Sequence, residues 1–253
     1  MLECQKKKWG VSMKNNEKFR TEMLERWKSL CKKVGAEGDF DLVFSDLEKR
    51  YSEQGRHYHR LSHIRHCLLE LDKIRFEDFM EQLNEEAIEL AFWFHDAVYS
   101  TKNPEGSKEN EKQSAKIMAE TMRFQLTNTY HKEILLAFDL IKWTALHYYL
   151  SDGPKVNRYH TKCFEVVADI DLAILGQPRT KFDLYEEQIQ QEFAHVPLEI
   201  FLKKRKEIIL AFLQKPSIYH TEFFREKYEE RAQENLRRSF ARLVGRTPVK
   251  LDF

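Results

Sequence analysis

Turn-forming residues are scarce in this chain, with 8 glycines and 6 prolines among 253 residues. So few breakers leave long uninterrupted segments, which favours a mainly helical protein. Paired cysteines are also missing. Cys4, Cys31, Cys67 and Cys163 form no C-x-x-C pair, which excludes a zinc ribbon and a thioredoxin-like motif. Scattered single thiols fit a reducing compartment, and a cytoplasmic location is expected. No stretch approaches the roughly 18 consecutive apolar residues of a membrane span. The opening MLECQKKKWGVSMKNNEKFR has no apolar core of the kind a secretory signal needs. An excess of one charge is absent as well. The 42 basic residues face 41 acidic ones, for a net charge of +1, which speaks against general nucleic-acid binding.

What is present is enough apolar material for a sizeable core, 42% of the residues, and no repeat, low-complexity stretch or Pro/Gly/Ser-rich linker. A single all-α domain over 1–253 is expected, with a core at about 51–213 and helical extensions at 14–50 and 214–243. Apolar spacing predicts helices near 14–33, 41–54, 57–73, 84–97, 109–124, 130–148, 162–176, 180–194, 197–213 and 219–243. The segment AIELAFWFHDAVY is apolar on nearly every face and predicts a buried helix. CFEVVADIDLAIL carries a competing strand signal, but the spacing of Phe164, Val167, Asp171 and Ile174 favours a helix. The polar run STKNPEGSKEN predicts a loop, and TPVKLDF an irregular tail.

Titratable residues concentrate in three places. His59, His63 and His66 stand four and three residues apart, which puts them on one side of a helix. His95-Asp96 follows AIELAFWF directly, and burying such a pair is costly unless something compensates its charge. Asp169 and Asp171 lie inside VVADIDLAILG and raise the same question. A bound cation answers it, because neutral imidazole and carboxylate are both metal ligands. The mixed nitrogen and oxygen set suits a divalent Mn, Fe, Mg or Zn ion with open positions for water. The lack of thiolates argues against a purely structural zinc site.

The order H…HD…D, here His63, then His95-Asp96, then Asp171, resembles the signature of the HD superfamily of metal-dependent phosphohydrolases. YHRLSHI (58–64) is similar to the Y-H-N-x-x-H-A segment of cyclic nucleotide phosphodiesterases. FHDAVYS (94–100), ENEKQSA (109–115), the T-x-x-H of Thr144 to His147, and DIDLAILG (169–176) resemble a bacterial branch of the same superfamily. The likeness spans about residues 51–213. It implies an HD-type helical bundle that hydrolyses a phosphomonoester, phosphodiester or pyrophosphate bond in a nucleotide or other small phosphorylated compound. It further implies that His63, His95, Asp96 and Asp171 bind the metal, with Asp169 the alternative ligand or a supporting group. By position His59 becomes the general acid, and Glu111 positions the nucleophile or holds a second cation through water. Asn110 and His147 are placed at the substrate or a second metal, and Arg56, Arg60 and Lys142 at phosphate oxygens. The chain departs from the phosphodiesterases at Arg60, where they carry Asn. It departs from alarmone hydrolases at Ala97-Val98, where they carry Glu-Asp. A non-catalytic HD-fold sensor or interaction module that binds a metal or nucleotide is the alternative.

Overall fold

The computed structural model describes residues 2–102, 107–125, 132–145 and 158–246, with side chains over 16–102, 109–123, 132–145 and 158–245. The chain is all-α. Its helices are α1 (Leu2–Lys33), α2 (Phe40–Arg50), α3 (Leu61–Ile74), α4 (Glu85–Phe94) and α5 (Ser107–Gln125) in the first half. They continue as α6 (Lys132–Thr144), α7 (Arg158–Asp171), α8 (Arg179–Glu192), α9 (Leu198–Leu213) and α10 (Glu222–Arg246). Short 3-10 turns occupy Asp78–Gln82 and Leu172–Gly176. Among the described residues, no helix is long and apolar enough to cross a membrane.

The core is one continuous cluster running from Met23 to Leu243. Its centre is α4, whose residues from Ala87 to Phe94 are all buried. This helix starts at Asn84, whose side chain accepts the Ala87 N–H at 2.8 Å, the N-cap bond that satisfies an orphan donor. Trp93 meets the edge of Trp27 at 5.5 Å between centroids, and its carbonyl accepts the Tyr51 hydroxyl at 3.0 Å. These contacts tie α1 and α2 onto the central helix. On the far side, α10 runs along the 3-10 turn after α7. Gly176 makes that approach possible, since a Cβ there would lie 2.5 Å from the Tyr228 Cβ.

Several boundaries differ from those read off the sequence, and each difference has a local cause. The helix expected from 57 begins only at Leu61, because the amides of His57, Tyr58 and His59 bond to the Glu192 carboxylate instead. The helix expected over 84–97 stops at Phe94, and the carbonyls of Asp96 and Ala97 turn to the Arg56 guanidinium. The run expected over 162–176 is helical only to Asp171 and then tightens into the 3-10 turn. Pro197 is the N-cap of α9 rather than its first residue. The tail after 246 and the last residues of the helix expected over 130–148 lie outside the described residues.

Candidate metal centre

Helices α3, α4 and α7 pack against one another pairwise, and their ends meet. His63 comes from the first turn of α3, His95 and Asp96 from the turn that closes α4, and Asp171 from the last residue of α7. Two of these three ends are carbonyl ends, where the helix dipole favours a cation. His63 is 3% and His95 2% exposed.

The donor atoms converge. His63 Nε2 is 3.1 Å from His95 Nε2 and 3.1 Å from Asp171 Oδ1. Asp96 Oδ2 is 3.0 Å from His95 Nε2 and 3.5 Å from His63 Nε2, while His95 Nε2 is 3.7 Å from Asp171 Oδ1. Ligands held on bonds of about 2.1 Å to one ion stand about 3.0 Å apart at an octahedral right angle and about 3.4 Å apart in a tetrahedron. Three of the observed separations, at 3.0–3.1 Å, fall in that range, and the other two, at 3.5 and 3.7 Å, lie just beyond it.

The tautomer of His95 makes the fit sharper. Its Nδ1 lies 3.0 Å from the Phe92 carbonyl, which can only accept, so Nδ1 carries the proton. A neutral His95 therefore turns a bare Nε2 lone pair toward two carboxylates and another imidazole. Asp96 Oδ2, despite its 3.0 Å approach, has no hydrogen bond of acceptable geometry. Lone pairs facing carboxylate oxygens need a positive charge between them, either a second proton or a metal ion. Without an ion the proton is the only option. Burial opposes the charged imidazole, but Asp96 and Asp171 override it and raise the His95 pKa well above its usual value. In the same way burial pushes the Asp171 carboxyl up, while His63 and His95 draw it far down. The same arrangement of lone pairs has the chemistry to hold a divalent ion, and the Phe92 carbonyl fixes the orientation of the His95 ring.

The two aspartates of the DID segment separate cleanly. Asp171 faces the histidines. Asp169 is fully buried and turned to the start of α10, where its Oδ1 accepts the His220 N–H and its Oδ2 accepts the Thr221 N–H and hydroxyl, each at 2.7 Å.

His59 precedes α3 instead of lying one turn back on it, yet its ring still stands 5.8 Å from that of His63. Its Nδ1 donates to Glu192 Oε2 at 2.7 Å, and its ring stacks on Tyr99 at 4.1 Å. Burial lowers the His59 pKa, but Asp96 and Glu192 outweigh it and the net direction is upward. Glu192 was not foreseen from the sequence. It is held by three consecutive amides through Oε1, and its Oε2 also accepts the Tyr99 hydroxyl at 2.9 Å. Burial alone would raise its pKa, but His59 and the amides bring it down to about 2. No motif marks Glu192 in YEEQIQQEF. Only the tertiary fold brings it across.

Glu111, on α5, has a buried Oε2 without a hydrogen-bond partner. Burial pushes its carboxyl up to about 8, and the charges of Asp96 and Asp171 add to this. Asn110 is buried and donates to the Ser100 carbonyl at 3.1 Å. Arg56, expected at a phosphate, is buried with its guanidinium bonded to Glu53 and to the carbonyls of His59, Asp96 and Ala97. It braces the His-Asp turn. Arg60 is exposed at the N-cap of α3. Lys142 is exposed near Asp139, at 3.9 Å, and over the Phe138 ring. His147 lies outside the described residues. Set beside known proteins, the chain matches no family model, no curated protein and no solved structure.

Proposed function

We propose that this protein is an HD-type, metal-dependent phosphohydrolase acting on a nucleotide or another small phosphorylated compound. One observation carries the reading: the Nε2 atoms of His63 and His95 lie 3.1 Å apart and each stands 3.0–3.7 Å from a carboxylate oxygen of Asp96 and of Asp171, with the His59–Glu192 pair alongside. Two nitrogens and two carboxylate oxygens suit Mn, Fe, Zn or Mg, in keeping with open positions for substrate and water. The described thiols Cys31, Cys67 and Cys163 are unpaired and buried, which supports a reducing, cytoplasmic setting.

A divalent ion at such a centre supplies Lewis acidity and acidifies water for attack on phosphorus. The chain's own groups do the rest. The Glu192 carboxylate anchors the Nδ1 proton of His59, which leaves Nε2 to deliver a proton to the leaving oxygen. The upward shift of the His59 pKa favours the protonated ring, the form a general acid needs. Glu111 in its ionised form, which a nearby cation would favour, would accept a hydrogen bond from the attacking water and orient it. Arg56 holds the carbonyls of Asp96 and Ala97, so the two adjacent ligands His95 and Asp96 keep their aim.

The test pairs elemental analysis of the purified protein with a screen of phosphorylated metabolites in the presence of Mn²⁺. The expected result is close to stoichiometric divalent metal and turnover of at least one phosphoester or anhydride, lost on chelation. Metal without turnover, and with no effect of His59→Ala on any bound nucleotide, points to the sensor alternative. Protein that takes up no divalent ion overturns both.

A further inference from the structure

Tyr99 stands in the FHDAVYS segment, three residues past Asp96, and has no role in the scheme above. It is half-buried, yet it belongs neither to the hydrophobic core nor to the half-buried apolar residues packed on that core. Its ring lies against polar side chains instead. The His59 ring stacks on it with centroids 4.1 Å apart and planes 25° from parallel, and the Arg56 guanidinium stands over it at 5.6 Å. Its hydroxyl donates to Glu192 Oε2 at 2.9 Å, the same oxygen that accepts from His59 Nδ1 at 2.7 Å. Both the face and the hydroxyl of this tyrosine are thus committed to one imidazole–carboxylate pair.

The backbone that carries Tyr99 is held on both sides. The Val98 N–H donates to Ser114 Oγ on α5 at 2.9 Å, and Thr101 Oγ1 donates to the Glu192 carbonyl at 3.1 Å. The ring is therefore a fixed surface, and the segment that fixes it is continuous with the turn bearing His95 and Asp96. A single hydrogen bond at Nδ1 is a hinge. The imidazole can still swing about the Nδ1–Oε2 line, and Nε2 swings with it. A flat ring against the imidazole face removes that freedom, and a stacked contact leaves the ring edge, where Nε2 lies, uncovered.

We propose that Tyr99 is a positioning residue: its ring sets the plane of the His59 imidazole and so aims Nε2 at the leaving oxygen of a substrate held at the neighbouring centre, an inference whose catalytic half rests on the phosphohydrolase reading. Misplacing a reacting group by about 1 Å costs up to about 100-fold in rate, so a loose ring is an inefficient acid even with its proton in place. The stack supplies the constraint, and the hydroxyl steadies the shared carboxylate.

The experiment uses the full chain, as wild type, Tyr99→Phe, Tyr99→Leu, His59→Ala and the Tyr99→Leu/His59→Ala pair. Tyr99 lies outside the core, so Tyr99→Leu is expected to fold with wild-type metal content. NMR of protein labelled at its histidine rings and loaded with Zn²⁺ reads the His59 ring protons, assigned by their loss in His59→Ala. The ring current of Tyr99 is expected to shift them upfield in wild type. Tyr99→Phe should keep that shift and Tyr99→Leu should lose it. Kinetics with Mn²⁺ compare phenyl phosphate, whose leaving oxygen benefits from a proton, with p-nitrophenyl phosphate, whose leaving group departs without one. On phenyl phosphate Tyr99→Leu should lose about 30-fold in kcat with KM unchanged, and Tyr99→Phe about threefold. On p-nitrophenyl phosphate both losses should stay below about threefold. In the His59→Ala background Tyr99→Leu should cost nothing further, because its effect passes through His59. Losses of equal size on the two probes, or a further loss in the His59→Ala background, overturn the positioning role. So does a His59 signal at the ordinary imidazole position in wild type, or one that Tyr99→Leu leaves unmoved. Wild type that takes up no divalent ion overturns the phosphohydrolase reading, and the ring shift, measured then without metal, still decides whether Tyr99 sets the plane of His59.

Discussion

Glu192 Oε2 lies 2.7 Å from His59 Nδ1 across 133 residues of sequence, and its other oxygen takes the amides of His57, Tyr58 and His59. The carboxylate thus fixes both the ring and the backbone that carries it. Glu192→Gln removes the charge and keeps the size. The His59 pKa then falls, because burial, which lowers it, is opposed by one carboxylate fewer. The acid form is lost at lower pH than in wild type, so the alkaline limb of the kcat profile moves toward lower pH. At neutral pH activity drops about tenfold, and His59→Ala costs about 100-fold. A pH–rate profile of the two variants beside wild type checks this. An alkaline limb that stays in place in Glu192→Gln counts against His59 as the acid.

The DID segment offers a clean contrast. Asp171→Asn keeps the shape but removes a charged donor that faces His63 and His95. The expected result is a folded protein that retains little metal after dialysis. Asp169→Ala leaves the His220 and Thr221 amides and the Thr221 hydroxyl without their acceptor. That variant should lose about 2–4 kcal/mol of stability. Its metal content, measured on the fraction that stays folded, should match wild type. Metal loss in Asp169→Ala with full retention in Asp171→Asn reverses the assignment.

Arg56 is 4% exposed, and its bonds to the carbonyls of Asp96, Ala97 and His59 are internal. Arg56→Ala strips three carbonyls, that of Ala97 buried and those of His59 and Asp96 partly so, of their donor and lets the His-Asp turn loosen. Stability is expected to fall by about 2–4 kcal/mol in urea denaturation. Metal affinity should weaken about 10-fold or more, the usual cost of losing a group that orients ligands. Unchanged stability and metal affinity combined with a raised KM alone returns Arg56 to a phosphate-binding role.

Much of this was legible before any coordinates. The apolar periodicity gave every long helix, because one buried face per helix is a local property of the sequence. The pairing of His95 with Asp96 behind eight buried residues was visible as an uncompensated charge. Choosing between Asp169 and Asp171 was not possible by periodicity, since both belong to the same apolar run. The choice follows from where α7 ends and what the start of α10 presents to Asp169. Glu192 was invisible because it stands in an ordinary amphipathic helix and acquires its role only by meeting three amides from residues 57–59. Those same bonds explain why the helix predicted from 57 starts late. Arg56 looked like an anion binder because exposed arginines often are, and only burial reveals that carbonyls occupy it.

His66 provides the test of stability against pH. It is largely buried on α3, its Nε2 has no partner, and Glu70 is no nearer than 4.0 Å. Burial lowers its pKa to about 4, against an ordinary 6.5, with the pull of Glu70 too weak to offset this. Below pH 6.5 the unfolded chain takes up a proton at this position that the folded chain refuses. Stability is therefore complete above about pH 6.5 and falls as the pH drops to about 4, by up to about 3 kcal/mol. His66→Asn removes the titration. Urea denaturation at pH 7 and pH 4.5 should show the variant losing about 2 kcal/mol less than wild type on acidification. An identical acid loss in both proteins means that the folded state accepts the proton on His66 as readily as the unfolded chain does.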